Sequence, residues 1–238
     1  MRKGFLLAIS IVGLLTLQSC NNDDVNVEPI PVGILTTVNG YTDSNNVKFH
    51  VDGRYIQDIY NPVLEYKMFS YANLFPGDRK IGVSEAKGEI ASETHLIEKF
   101  RFYTSFVGGT KEQPVFFTAN DRIDGLTEAD VEGKSGVRFF NLSADDLTIS
   151  LQFDDNAIAD EFKDRKTDSK ETVGTYQKFS LVEAKKYSLK VLNKSNEVLA
   201  QRDNITLNNK GFYSIVFIGN EANTAKPYYI GVVSQNVN

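Results

Sequence analysis

Apolar and polar residues alternate with a period of two along much of this chain. The clearest runs are Val47-Lys48-Phe49-His50-Val51-Asp52-Gly53 and Ile149-Ser150-Leu151-Gln152-Phe153-Asp154-Asp155. That period belongs to a strand with one buried face. The runs are short and separated by turn residues, among them Val38-Asn39-Gly40, Asp52-Gly53, Pro76-Gly77 and Asn208-Asn209-Lys210-Gly211. Glycine and asparagine accept the positive φ of tight turns, and proline presets their first corner. No long stretch has the 3.6-residue apolar period of an amphipathic helix. The pattern predicts an all-β chain of sandwich type rather than an α/β enzyme fold.

The two runs align at an offset of 102, which also pairs Asn39 with Asn141, Asp43 with Asp145 and Ile56 with Ile158. Ile81 and Val83 then match Leu189 and Val191 at 108, Phe102-Tyr103 matches Phe212-Tyr213 at 110, and Gly109 matches Gly219. Pro114-Val115-Phe116-Phe117 matches Pro227-Tyr228-Tyr229-Ile230 at 113. Order is kept and the offset only grows, as in a duplicated domain whose second copy has gained loop residues. The expected organisation is a first β-sandwich repeat at 32–123, a polar linker at 124–135 and a second repeat at 136–238, each able to fold alone. The gain of six residues between Ile158 and Lys185 places an insertion within 159–175, where nine residues from Asp160 to Glu171 are charged. Unpaired charge is expensive to bury, so this segment is expected to project as a mobile loop with a helical turn around Phe162.

The N-terminus follows a different pattern. Arg2 and Lys3 precede an uncharged apolar run from Phe5 to Leu17. The run fits a secretory leader and is shorter than the roughly 20 residues of a membrane-spanning helix. It ends in Leu17-Gln18-Ser19-Cys20, which resembles the lipobox of bacterial lipoproteins. The resemblance implies removal of residues 1–19 as a lipoprotein signal peptide, lipid transfer to the Cys20 thiol and acylation of the new amino group. Several acyl chains anchor a protein lastingly, where a single one binds marginally. Residues 20–31 are then an acylated tether, stiffened by Pro29 and Pro31. Asp23 and Asp24 look like the surface-export signal of Bacteroidota lipoproteins; a plain solvated tether is the alternative. The expected location is the cell outer membrane, facing outward.

The Asn39 block, the strand into Val51-Asp52-Gly53, the Leu74-Phe75-Pro76-Gly77 turn and the Phe102-Tyr103 strand resemble domain of unknown function 4397, over residues 32–118 and 136–233. The resemblance implies two tandem immunoglobulin-like β-sandwich domains of a kind found in secreted and surface bacterial proteins. It brings no catalytic residue. Copy two departs from it where Ala184-Lys185 replaces Pro76-Gly77.

The composition removes several functions. The 238 residues hold 26 Lys and Arg against 31 Asp and Glu, so no basic footprint for nucleic acid is present. One Cys and two His exclude an intrachain disulfide and any multi-cysteine metal site. His50 shares a strand face with Lys48 and Asp52, read as a solvent-facing stripe because no motif places a nucleophile beside it. His95 reads as a surface residue. Asp145-Asp146 and Asp154-Asp155 lack calcium-loop spacing and read as turns. Gly108-Gly109 has no Lys-Ser/Thr behind it and is no phosphate loop. The adjacent pairs Phe116-Phe117 and Tyr228-Tyr229 must point one ring to each sheet face, and the outward ring is read as packing between the sandwiches. The absence of Trp weakens glycan stacking, which stays an unsupported option. The chemistry leaves a non-catalytic, surface-anchored binding or structural lipoprotein with no cofactor. Its expected partners are the membrane through Cys20 and a protein of a larger outer-membrane assembly. An adhesin or fimbria-like component is the alternative, and an extracellular polymer-processing enzyme a third.

Overall fold

The computed structural model describes residues 30–57, 59–123 and 125–235. The expected leader, Cys20, Asp23 and Asp24 lie outside the described residues. The first half forms β1 (Gly33–Asn39), β2 (Asn46–Val51), β3 (Arg54–Tyr55), β4 (Leu64–Glu65), β5 (Phe69–Leu74), β6 (Gly77–Glu85), β7 (Gly88–Ile97), β8 (Phe102–Gly109) and β9 (Pro114–Asn120). The second half forms β10 (Lys134–Asn141), β11 (Ile149–Phe153), a 3-10 turn (Asp160–Phe162), the short α1 (Val173–Tyr176), β12 (Ser180–Glu183), β13 (Lys186–Asn193), β14 (Val198–Thr206), β15 (Phe212–Ile218) and β16 (Tyr229–Gln235). The protein is all-β, as the alternation predicts.

Each half is a sandwich with the same strand order. In the first, the sheet β5-β1-β8-β9 faces β3-β2-β6-β7; in the second, β12-β10-β15-β16 faces β11-β13-β14. The pairs β1–β8 and β10–β15 are parallel, and the remaining pairs of both halves are antiparallel. Equivalent residues repeat equivalent bonds. Asn39 Oδ1 accepts the Tyr41 N–H as Asn141 Oδ1 accepts that of Ser143. The Tyr103 hydroxyl accepts the Glu98 N–H as that of Tyr213 accepts the Asn208 N–H. Asp52 and Asp154, both at positive φ, accept the N–H of Lys80 and Ser188.

The register corrects one alignment. Val107 pairs with Phe116 as Phe217 pairs with Ile230. The last strand is therefore offset by 114, not 113, and a slip of one residue exchanges the faces of a strand. Phe116 and Tyr228 turn into their own sandwiches, while Phe117 and Tyr229 turn outward.

The outward rings meet. A third apolar cluster joins Val38, Phe106 and Phe117 of the first half to Phe140, Val216 and Val233 of the second. The rings of Phe106, Phe117 and Phe140 lie 5.0 to 5.3 Å apart. The two β1/β10-containing sheets therefore pack on each other as well as on their own partners, and the described residues from Pro31 onward form one compact unit of four sheet layers. Backbones approach closely enough for the Gly109 N–H to donate to Leu142 O at 2.8 Å, and a side chain at Gly108 would run into Leu142.

Beside this cluster lies a buried polar network. Arg138 pairs with Asp121, and both side chains are at most 1% exposed. The Thr104 hydroxyl stands within hydrogen-bond distance of Asp121 Oδ2 and Gln235 Oε1, at 2.8 and 3.1 Å, and Arg138 Nε and Gln235 Nε2 both donate to the Ser214 hydroxyl. The guanidinium also donates to the carbonyls of Asn120 and Gln177 and stands 4.6 Å from the Phe179 ring. Burial raises the Asp121 carboxyl and lowers the Arg138 guanidinium from their ordinary pKa values, and their attraction opposes it. By ladder register Thr104 is equivalent to Ser214 and Asp121 to Gln235. The copies thus meet through the same surface, as in an isologous dimer. A second contact is Lys226, whose ammonium donates to the carbonyls of Thr42 and Ser44 at 2.8 and 2.7 Å.

The charged insertion does not project. Phe162, in the expected helical turn, packs in the second core, and Arg165 and Asp168 are each 2% exposed. The physical reason is that the two buried charges arrive paired, while the other seven stay exposed. Arg165 donates to both oxygens of Asp168, its guanidinium lies 3.4 Å from the Tyr176 ring centroid, and Asp168 accepts the Asn141 N–H. Lys67 and Asp168 donate their N–H groups to the equivalent Asn39 and Asn141 carbonyls at an offset of 101, whereas Ala72 and Ser180 are ladder equivalents at 108. The extra residues therefore enter after Asp168 and include α1. Val173 of α1 packs into the cluster between the copies, and Gln177 Oε1 accepts the Asn120 N–H. β10 starts at Lys134, inside the expected linker.

Candidate functional site

The residues singled out for chemistry are placed apart. His50 is 8% exposed, not a solvent-facing residue. Its ring covers Gly82 on the neighbouring strand, where any Cβ would strike it, and its Nε2 lies 3.5 Å from Glu89. His95 bonds Asn120 and stands edge-on to Tyr103. Asp145 accepts from the Tyr228 hydroxyl and the Glu221 N–H, and Asp155 pairs with Lys190. Among the described residues, no group of three or more His, Cys, Asp or Glu side chains gathers in a way that could hold a metal.

The structure brings another set together. The Asp52-Gly53 turn, at φ +51° and +78°, folds β3 back on β2. The chain then crosses along the open edge of β2, from the level of Phe49 to the start of that strand, where β4 pairs with it. Both ends of this crossing are fixed. Gln57 Oε1 accepts the Phe49 N–H, and the buried Asn39 donates to Leu64 O at 2.9 Å. Between these points Ile59 and Tyr60 are each 85% exposed. Tyr55, Met68 and Tyr71 are exposed around them.

Two cavities flank the crossing and share Val63. One of about 430 Å³ is lined by Gln57, Asn61, Glu65, Met68, Ser70 and Tyr71 among others. The other, about 570 Å³, is lined by Asn45, Asn46, Lys48, Tyr55 and Glu85 among others. Burial raises the Tyr71 hydroxyl above its ordinary pKa and pushes that of Tyr66 up to about 12, so both stay neutral at physiological pH. Apolar rings interleaved with amides and hydroxyls suit noncovalent binding. Alternation does not mark these residues, because a loop has no period. Their signal was Ile59-Tyr60 placed next to Asn61-Pro62, apolar bulk inside a turn sequence.

A further cleft of about 660 Å³ runs between Ser92, Glu93 and Phe116 of the first copy and Thr167 to Glu171 of the second. Its lining mixes Ser92, Glu93, Asp146 and Lys170 with Ala91, Pro114, Val115 and Phe116.

Fold and site together define a tandem β-sandwich protein with an exposed aromatic edge. No family model matches the chain, and no curated protein matches it. Among solved structures, a family 26 carbohydrate-binding module from Eubacterium rectale, in complex with maltoheptaose, is 12% identical over 85% of this chain and 97% of its own, with a TM-score of 0.24. A candidate adhesin from Bacteroides ovatus is 10% identical over 90% of this chain and 94% of its own, with a TM-score of 0.20. Likenesses at these scores carry no functional argument.

Proposed function

We propose that this protein is a non-catalytic binding module, lipid-anchored through Cys20 at the cell outer membrane. Its first sandwich presents the Tyr55–Tyr71 edge to a protein partner of a larger outer-membrane assembly. The carrying observation is an asymmetry between the copies. Among the described residues, the large exposed apolar side chains within the sandwiches are Tyr55, Ile59, Tyr60, Met68, Tyr71, Phe75, Leu96 and Phe100 in copy one, against Val198 alone in copy two. Two copies sharing one fold need the same core, so apolar bulk exposed on only one of them is not a requirement of folding. Binding energy in such surfaces concentrates on a few aromatic anchors. Support for the anchor is the lipobox at Cys20, and relatedness to domain of unknown function 4397 rests on the sequence resemblance.

The adhesin alternative needs an accessible sheet edge. Of the edge strands, β7 and β14 carry charged residues and register shifts, which discourage edge-to-edge pairing, whereas β5, β9 and β16 carry no charge.

The double change Ile59→Ser and Tyr60→Ser is expected to change the melting curve little, because each side chain is 85% exposed. Recovery of the partner that copurifies from detergent-solubilised outer membranes should fall by roughly tenfold or more. Undiminished recovery would remove the proposed edge. Ladders of self-polymer would favour the adhesin, and turnover on a polysaccharide or peptide panel would favour an enzyme.

A further inference from the structure

The opposite end of the first sandwich also exposes apolar residues, and there the second copy provides an internal control. The Phe100 N–H donates to Val32 O at 2.7 Å with Phe100 at φ +58°; the Lys210 N–H donates to Lys134 O at 2.7 Å with Lys210 at φ +61°. The turns are equivalent in backbone, yet one carries an apolar ring and the other an ammonium. The same holds beside them. Leu74 and Val182 are ladder equivalents, so Phe75 corresponds to Glu183; Leu96, opposite Asp78, corresponds to Thr206, opposite Lys186. Phe75, Phe100 and Leu96 are 65%, 60% and 57% exposed. The fold accepts polar residues at all three positions in copy two, so it does not demand apolar ones in copy one.

The location says what covers them. Gly33 at the start of β1 pairs with Leu74 on one side, and Ile34 pairs with Phe102 on the other. Phe75 and Phe100 therefore flank the point where the chain enters the sandwich, about two strand spacings, or roughly 10 Å, apart. The residues between Cys20 and Pro31 are ten in number, a tether reaching at most about 35 Å when fully extended. A chain held by acyl groups on Cys20 keeps this end within reach of the lipid surface. Side chains of Phe and Leu partition into the boundary between headgroups and acyl chains.

We propose that the tethered end of the first sandwich docks on the bilayer, with Phe75 and Phe100 inserted at the lipid interface and Leu96 beside them. This rests on the lipid-anchor reading above. Docking would fix the orientation of the molecule. β1 runs from this end to Asn39, which the Met68 carbonyl and Leu64 border, so the chain from Leu64 to Met68 would lie toward the end away from the membrane.

The protein has no Trp, so a single introduced one is a clean reporter. Phe75→Trp, Phe100→Trp and the control Lys210→Trp are made separately in the full-length chain. Each is mixed with or reconstituted into vesicles of phosphatidylethanolamine and phosphatidylglycerol containing a brominated phosphatidylcholine. Flotation reads the anchor; emission and bromine quenching read the docking. The expected result is blue-shifted, quenched emission at positions 75 and 100 and water-like, unquenched emission at 210. Flotation with water-like emission at 75 and 100 overturns the docking while leaving the anchor. Quenching at 75 and 100 without acylation supports the docking and overturns the anchor. Neither flotation nor quenching overturns both. A blue shift at 75 and 100 without vesicles, whether or not it depends on protein concentration, overturns the docking in favour of cover by the protein itself.

Discussion

Replacing Arg138 with methionine is expected to destabilise the protein by about 3–5 kcal/mol, because it leaves the Asp121 carboxylate buried without its counter-charge. For a unit of this size that is a fall in Tm on the order of 10 °C. The replacement also removes the donor that holds the Asn120 and Gln177 carbonyls and the Ser214 hydroxyl. The diagnostic partner is the double variant Arg138→Met with Asp121→Leu. It has no stranded charge, and buried ion pairs are often replaceable by apolar residues with little loss. Thermal melts should show the double variant recovering most of the stability lost by the single one. If the single change shifts Tm by no more than a degree or two, Arg138 does not bridge the copies.

The second large effect concerns residues 160–171. A mobile surface loop would tolerate replacement by a short Gly/Ser linker, since loop length by itself is thermodynamically cheap. The packed segment described above would not. Losing the buried Phe162 costs about 3–5 kcal/mol by analogy with other deletions of core aromatics. Losing Asp168 leaves the buried Asn141 N–H without its acceptor, worth a further 1–3 kcal/mol or so. Denaturant melts should show the midpoint falling sharply, with a loss of at least about 4 kcal/mol. An unchanged midpoint would restore the projecting loop.

The gap between those two pictures shows what was legible in the chain. Strand type, turn positions and the duplication were legible because they repeat locally, in the alternation around Phe49 and Leu151 and in turns such as Asp52-Gly53. The contact between copies was also written in the sequence, in a subtler form. Phe212 to Ile218 (FYSIVFI) carries apolar residues on both faces, and all seven of its residues are buried. A strand with only one covered face keeps polar residues on the other. The outward rings of Phe117 and Tyr229 pointed the same way. The charged insertion was not legible from composition, because Arg165, Asp168 and Tyr176 neutralise and cover one another only once folded. For the candidate site, Ile59 and Tyr60 stand out by exposure, which depends on Gln57 and Leu64 fixing the crossing at its ends. His50 illustrates the converse: its strand face was assigned correctly to the polar side, yet Gly82 leaves a space there that the ring fills.

Two sandwiches of one ancestry are joined into a single four-layer body, which carries the exposed edge of copy one as a fixed surface. Differential scanning calorimetry of the purified chain tests it most directly. A shared core built on Phe106, Phe117 and Phe140 and a shared ion pair predict one transition whose calorimetric and van't Hoff enthalpies agree. Two resolvable transitions, or a calorimetric enthalpy near twice the van't Hoff value, would contradict it and return the molecule to two independent domains on a linker.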